Sequence, residues 1–121
     1  MGAGEGERPA YDLEERTARF GEAIIAFCKK VKVTPITMPL ITQLVKSATS
    51  VGANYCEADD AVSKKEFRLK IATCKKESRE SKHWLRMLAA ADDSLKEEAR
   101  RHWQEAKELH LIFAAIWRRG A

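Results

Sequence analysis

Glycine and proline are missing from more than half of the sequence, since neither occurs between residues 53 and 119. The turns of β-sheets depend on these two residues. Their absence therefore excludes an all-β fold and disfavours a parallel α/β fold. A chain of 121 residues fits one domain. Its content of 45% hydrophobic and 33% charged residues is enough for a core and a polar surface.

Long apolar segments are missing as well. No run of about 18 apolar residues is present to span a membrane, so we expect no membrane partner. The first ten residues contain no apolar stretch, which argues against a secretory signal. Their glycines and charges predict a flexible tail over residues 1–10. The single domain is then expected over residues 11–119.

Cysteines are few and irregularly placed. Cys28, Cys56 and Cys74 are an odd number, widely spaced and without a C-x-x-C pair. This pattern argues against a disulfide framework and against a zinc site. We interpret all three as small apolar side chains in a reducing cytoplasm.

What the sequence does contain is apolar residues at spacings of three and four, which predict helices. The expected helices cover residues 12–32, 37–59, 63–91 and 94–118. Capping boxes mark three of their starts: Asp12 with Glu15, Ser63 with Glu66, and Ser94 with Glu97. Four amphipathic helices with short connections predict an all-α fold, an antiparallel four-helix bundle. Gly52, inside the second helix, predicts a close helix crossing because a mid-helix glycine costs about 1 kcal/mol relative to alanine.

Catalytic motifs are weak. Glu80 and His83 form one Glu-x-x-His pair of the kind that binds two metal ions inside helical bundles, and Glu22 and Glu57 could add carboxylates. The fourth helix supplies no second pair, because neither of its histidines follows a glutamate by three positions. The sequence also lacks a phosphate-binding glycine loop. We therefore expect no enzyme, no catalytic or metal site, no cofactor and no small-molecule substrate.

The third helix is electrostatically one-sided. Between residues 63 and 91 there are nine basic and three acidic residues, a net charge of +6, compared with +4 for the whole chain. Five of the basic residues come one position after a core residue of this helix, and Lys64 lies on the same side. We call these six residues the basic stripe: Lys64, Arg68, Lys75, Arg79, Lys82 and Arg86. Such a stripe could track the phosphates of RNA or DNA. The alternatives are a solvated surface, or pairing with carboxylates of a neighbouring subunit.

Polar residues line the second helix and one flank of the third. The predicted polar network consists of Ser47, Ser50, Asn54, Glu57, Glu77 and Glu80. Polar side chains on a mostly buried helix need partners, which Lys76 or Arg79 could provide. We interpret the set as hydrogen bonds that fix helix register, with a ligand site as the alternative.

Large apolar residues fall outside the main core positions of the third and fourth helices. They include Trp84, Trp103, Leu111 and Trp117. They either widen the core or contact other copies of the chain, since exposed aromatic clusters mark interfaces. We predict that these four contribute to an oligomer interface.

A longer pattern resembles a known family. Residues 47–58 read Ser-x-x-Ser-x-x-x-Asn-x-x-Glu-Ala, followed by Lys-Lys-Glu-Ser-Arg-Glu at 75–80 and Trp-Leu at 84–85. With Tyr-Asp-Leu-Glu at 11–14, this resembles the bacterial four-helix-bundle family known from intervening sequences of 23S ribosomal RNA genes. The resemblance covers residues 11 to 118.

The resemblance implies a left-handed up-down-up-down bundle that assembles into a ring, typically of five subunits, and no established enzymatic activity. It also implies a distant similarity to the accessory protein of diversity-generating retroelements, which shares the ring and binds nucleic acid together with a reverse transcriptase. We therefore expect a cytoplasmic, non-enzymatic homo-oligomer that associates with RNA or DNA through the basic stripe. The alternative is a purely structural scaffold or protein–protein adaptor without nucleic-acid binding.

Overall fold

The computed structural model describes residues 12–120, and the predicted tail over residues 1–10 lies outside them. This part of the chain forms four helices, with a single 3₁₀ turn at Asp93–Leu95 and no strands. The helices are α1 (Leu13–Lys29), α2 (Thr37–Asp59), α3 (Lys64–Ala91) and α4 (Lys96–Arg118). The predicted all-α, four-helix fold is confirmed.

Each helix packs against the next in sequence, and α1 meets α4 more sparsely to close the bundle. Arg16, near the start of α1, bonds Glu105 near the middle of α4. Lys30, just after α1, bonds Glu98 near the start of α4. These contacts show that α1 and α4 run antiparallel. The handedness of the bundle stays a prediction.

The first helix ends at Lys29 rather than at the predicted residue 32. Two threonines hold the connection that follows. The Thr37 hydroxyl accepts a hydrogen bond from the Thr34 backbone N–H (2.8 Å) and donates one to the Lys32 carbonyl (2.6 Å). This local network offers the backbone an alternative to another helical turn.

The two predicted serine caps behave differently. The Ser63 hydroxyl accepts a hydrogen bond from the Glu66 N–H at 3.1 Å and caps α3 as predicted. The prediction for Ser94 was wrong, because its hydroxyl donates to the Asp92 carboxylate at 2.7 Å and α4 begins at Lys96 without a side-chain cap. A hydrogen bond to a charged acceptor is stronger than a neutral one, so Asp92 outcompetes the backbone for this hydroxyl.

The core is built from the residues at spacings of three and four. Its largest fully buried side chains include Phe27, Leu44, Ile71, Leu85 and Phe113. The cysteine interpretation needs one correction, because Cys56 is exposed whereas Cys28 and Cys74 are buried. Burial raises the pKa of Cys28 to about 11 and that of Cys74 to about 12, so both stay protonated at neutral pH.

The two glycines of the helix interiors lie where α1 crosses α2. A Cβ atom on Gly52 would lie 3.2 Å from Thr17 Oγ1 and 3.5 Å from the Thr17 carbonyl carbon. A Cβ atom on Gly21 would lie 3.6 Å from the Thr49 Cα, which is an ordinary contact. The close crossing predicted at Gly52 is therefore present, and Gly21 lies against the same pair of helices.

Candidate nucleic-acid interface

The basic stripe lies where α3 packs against α4, and two tryptophans of α4 lie beneath its side chains. The Arg68 guanidinium is 4.1 Å from the centre of the Trp117 ring, and the Lys75 ammonium is 4.9 Å from it. Further along, Lys82 is 5.4 Å from the centre of the Trp103 ring. We call this surface the α3–α4 seam. Contacts between cations and aromatic faces contribute about 0.5–1 kcal/mol each at exposed sites, so they hold these cations in place.

Backbone contacts also join the two helices along the α3–α4 seam. Arg68 Nε donates to the Trp117 carbonyl at 3.4 Å. A ring nitrogen of His110 lies 3.1 Å from the Lys75 carbonyl oxygen. The helix that carries the basic stripe, α3, is therefore tied to α4 by side-chain contacts to backbone carbonyls.

No salt bridge within residues 12–120 involves a residue of the basic stripe. The carboxylates that do form salt bridges lie elsewhere: Glu98, Glu105 and Glu108 face α1, Glu57 binds Lys70, and Glu15 binds Arg19. Arg79 and Arg86 are exposed to solvent. The cations of the basic stripe are thus without an ion-pair partner in this part of the chain, although Glu80 lines a groove with Lys75 and Arg79.

Sequence reasoning missed the share of α4 in this surface. Lys107 lies 5.6 Å from the centre of the Trp103 ring, on the side of α4 that faces α3. Lys96 and Arg100 share a groove with Trp103 and Arg86. The sequence does contain a pattern that predicts this surface, because residues 96, 100, 103 and 107 follow one another at helical spacing and therefore lie on one side of α4.

The predicted polar network forms only in part. Ser47 contacts Ser81 across α2 and α3, with 3.0 Å between the buried hydroxyl oxygens. Glu57 binds Lys70 at 2.5 Å, not the expected Lys76 or Arg79. Asn54 donates to the Ser50 carbonyl of its own helix at 2.9 Å. Because α2 and α3 are antiparallel, the last turn of α2 lies opposite the start of α3, where Lys70 is.

The carboxylates of Glu77 and Glu80, the remaining members of the predicted network, make no hydrogen bond to the described residues. Partial burial raises the pKa of Glu77, and the charge of Glu80 raises it further. Lys76 and, across the helix pair, Lys46 of α2 act in the opposite direction and lower the pKa of Glu77.

The four predicted interface residues do not form one patch. Trp103 and Trp117 are half-buried in the α3–α4 seam, while Leu111 is 55% exposed on α4. Trp84 lies on the flank of α3 that carries Lys70, and its buried Nε1–H has no acceptor among the described residues. Their predicted role in an oligomer stays a prediction.

The candidate metal ligands are dispersed. Glu22, Glu57, Glu80 and His83 are all exposed. In the described ranges of the chain, no three His, Cys, Asp or Glu side chains are grouped to hold a metal ion. None of the helices over residues 12–120 is long and apolar enough to cross a bilayer.

Comparisons with known proteins give one family and one fold. Residues 11–115 match the 23S rRNA-intervening sequence protein family. A crystal structure of a protein of unknown function, from the S23 ribosomal protein family of Bacteroides thetaiotaomicron, aligns with a TM-score of 0.77 and 24% identity. The alignment covers 87% of this chain and 97% of that one. No curated protein matches the sequence.

Proposed function

The chain belongs to the 23S rRNA-intervening sequence protein family, and from that premise we propose that it is a non-enzymatic, homo-oligomeric module that binds RNA or DNA through the basic stripe. The observation that carries the proposal is that no cation of the basic stripe forms a salt bridge within residues 12–120. Phosphates are suitable partners for the basic stripe, because lysine and arginine side chains that neutralise phosphates release the counterions condensed on the nucleic acid. The free cysteines further favour a location in the reducing cytoplasm, which cell fractionation would check.

The binding is expected to depend steeply on salt. If three to six cations of the basic stripe contact phosphates, the logarithm of the binding constant should fall with the logarithm of salt concentration with a slope of about −2 to −4 for single strands. Fluorescence anisotropy with labelled RNA and DNA, between low and physiological salt, measures this slope. Absence of binding at low salt would contradict the proposal and favour a purely structural role.

Self-association is the second part of the proposal. Leu111 is 55% exposed on the outer face of α4. A large exposed apolar side chain is suited to an interface between copies of the chain. The family resemblance implies a ring of five.

Light scattering of the purified protein is expected to give a multiple of the 13.7 kDa chain mass. A Leu111→Glu variant should shift the mass toward the monomer, since it places a charge in the interface. Ile36→Glu, at the distant α1–α2 connection and 69% exposed, is the matched variant that should leave the mass unchanged. A monomeric wild-type protein would refute the oligomer.

A further inference from the structure

Two hollows lie along the α3–α4 seam, one beside each tryptophan. The Trp103 hollow has a volume of about 420 Å³, an apolar floor formed by Leu85, Ala89 and Ala99, and basic residues at its rim. Its rim carries Arg86, Lys96 and Arg100. The Trp117 hollow, about 530 Å³, repeats this chemistry. It is lined by Leu69 and Ala72 with Lys64, Lys65 and Arg68.

Neither hollow has a carboxylate among its described lining residues. A groove between α1 and α4 differs, because Glu15 and Glu105 line it. A third groove lies on the α3–α4 seam itself, where Glu80 shares the lining with Lys75, Arg79 and His110. Gln104 adds an uncharged polar group to the Trp103 hollow. An apolar floor beneath a rim whose only charged residues are cations is suited to a ligand with a flat apolar part next to an anionic part.

A nucleotide of a single strand has this combination. A duplex presents phosphates and sugars on its outside and keeps its bases stacked inside. Its phosphates could therefore contact the basic rims, but its bases could not reach the apolar floors. A single strand can turn its bases outward, against aromatic side chains and arginine planes, while basic side chains follow its backbone. We propose that the α3–α4 seam binds single-stranded nucleic acid, with one unstacked base in each hollow and the intervening phosphates on the basic stripe. This rests on the proposed function.

The spacing of the hollows sets the expected length of the ligand. Trp103 and Trp117 are 14 positions apart on α4, which corresponds to about 21 Å along the helix axis. A stacked strand rises by about 3.4 Å per nucleotide, so about six nucleotides reach from one hollow to the other. Affinity is expected to rise with oligonucleotide length up to about eight nucleotides and to increase little beyond that.

The test compares labelled single-stranded RNA with an RNA duplex of the same length, at one low salt concentration. The single strand is expected to bind at least about tenfold more tightly, because each base that packs into a hollow adds affinity that the duplex lacks. Ala89→Phe fills the Trp103 hollow without changing charge and should remove most of this preference. Ala90→Phe, at the exposed position next to it, should retain the preference.

Ala72→Phe fills the Trp117 hollow and provides a second variant should Ala89→Phe fail to fold. If neither RNA binds, and DNA of the same length does not bind either, the proposed function fails and this inference fails with it. Equal binding of single strand and duplex, unchanged in the filled-hollow variants, would overturn this inference alone. The α3–α4 seam would then contact phosphates only.

Discussion

Replacing Arg79, Lys82 and Arg86 together by glutamate is expected to weaken nucleic-acid binding by at least about 100-fold in low salt. The three changes remove half of the basic stripe and place carboxylates where phosphates would lie. Anisotropy measures the loss, and the slope of the salt dependence should fall with it. A thermal melt should accompany the titration, since Lys82 lies over the Trp103 ring.

Net charge alone has to be separated from this effect. Lys29, Lys32 and Lys46 are exposed and lie away from the α3–α4 seam. Their replacement by glutamate changes the net charge by the same amount and should weaken binding far less. Equal losses in the two triple variants would show that overall charge, and not the basic stripe, governs binding.

Replacing Gly52 by valine is expected to lower the free energy of unfolding by about 2–3 kcal/mol. The valine side chain would collide with Thr17. Thr17 is only 1% exposed, and its hydroxyl donates a hydrogen bond to the Leu13 carbonyl at 2.7 Å. The added side chain would force α1 away from α2 or break this hydrogen bond. Chemical denaturation measures the change.

Gly21→Ala is the matched substitution at the same helix crossing. Its Cβ atom would meet neighbours only at ordinary contact distance, so the better helix propensity of alanine should raise the free energy of unfolding by about 0.5–1 kcal/mol. Opposite signs for the two variants are therefore expected. If Gly52→Val were as stable as wild type, the close approach of α1 and α2 would not constrain the bundle.

Helix periodicity predicted the fold because every helix buries one regular stripe of side chains. The sequence also predicted a helix crossing at Gly52, because a glycine inside a helix lowers stability and a close contact with another helix explains its presence. It could not predict where α1 ends, because that depends on hydrogen bonds between Thr34 and Thr37. Nor could it predict the role of Ser94. The Ser94 hydroxyl could cap α4 or bond the Asp92 carboxylate, and in the structure it bonds Asp92.

The candidate site was predictable only from its α3 side. The charges of the basic stripe can be read from α3 alone, but their partners depend on how α4 is rotated about its axis. That rotation brings Trp103 and Trp117 beneath the cations, and the sequence analysis had assigned these tryptophans to contacts between copies. The partner of Glu57 depends likewise on the stagger of two antiparallel helices.

The salt bridges between α1 and α4 have a consequence for the opposite flank of α4. Arg16 and Lys30 form salt bridges with Glu105, Glu108 and Glu98, so three of the four acidic residues of α4 lie on the side of the helix that faces α1. The positive electrostatic potential of the basic residues on the other side of α4 is not cancelled by these carboxylates. The bundle therefore carries its modest net charge as an asymmetric distribution, and an approaching polyanion would be oriented toward the α3–α4 seam before any contact forms.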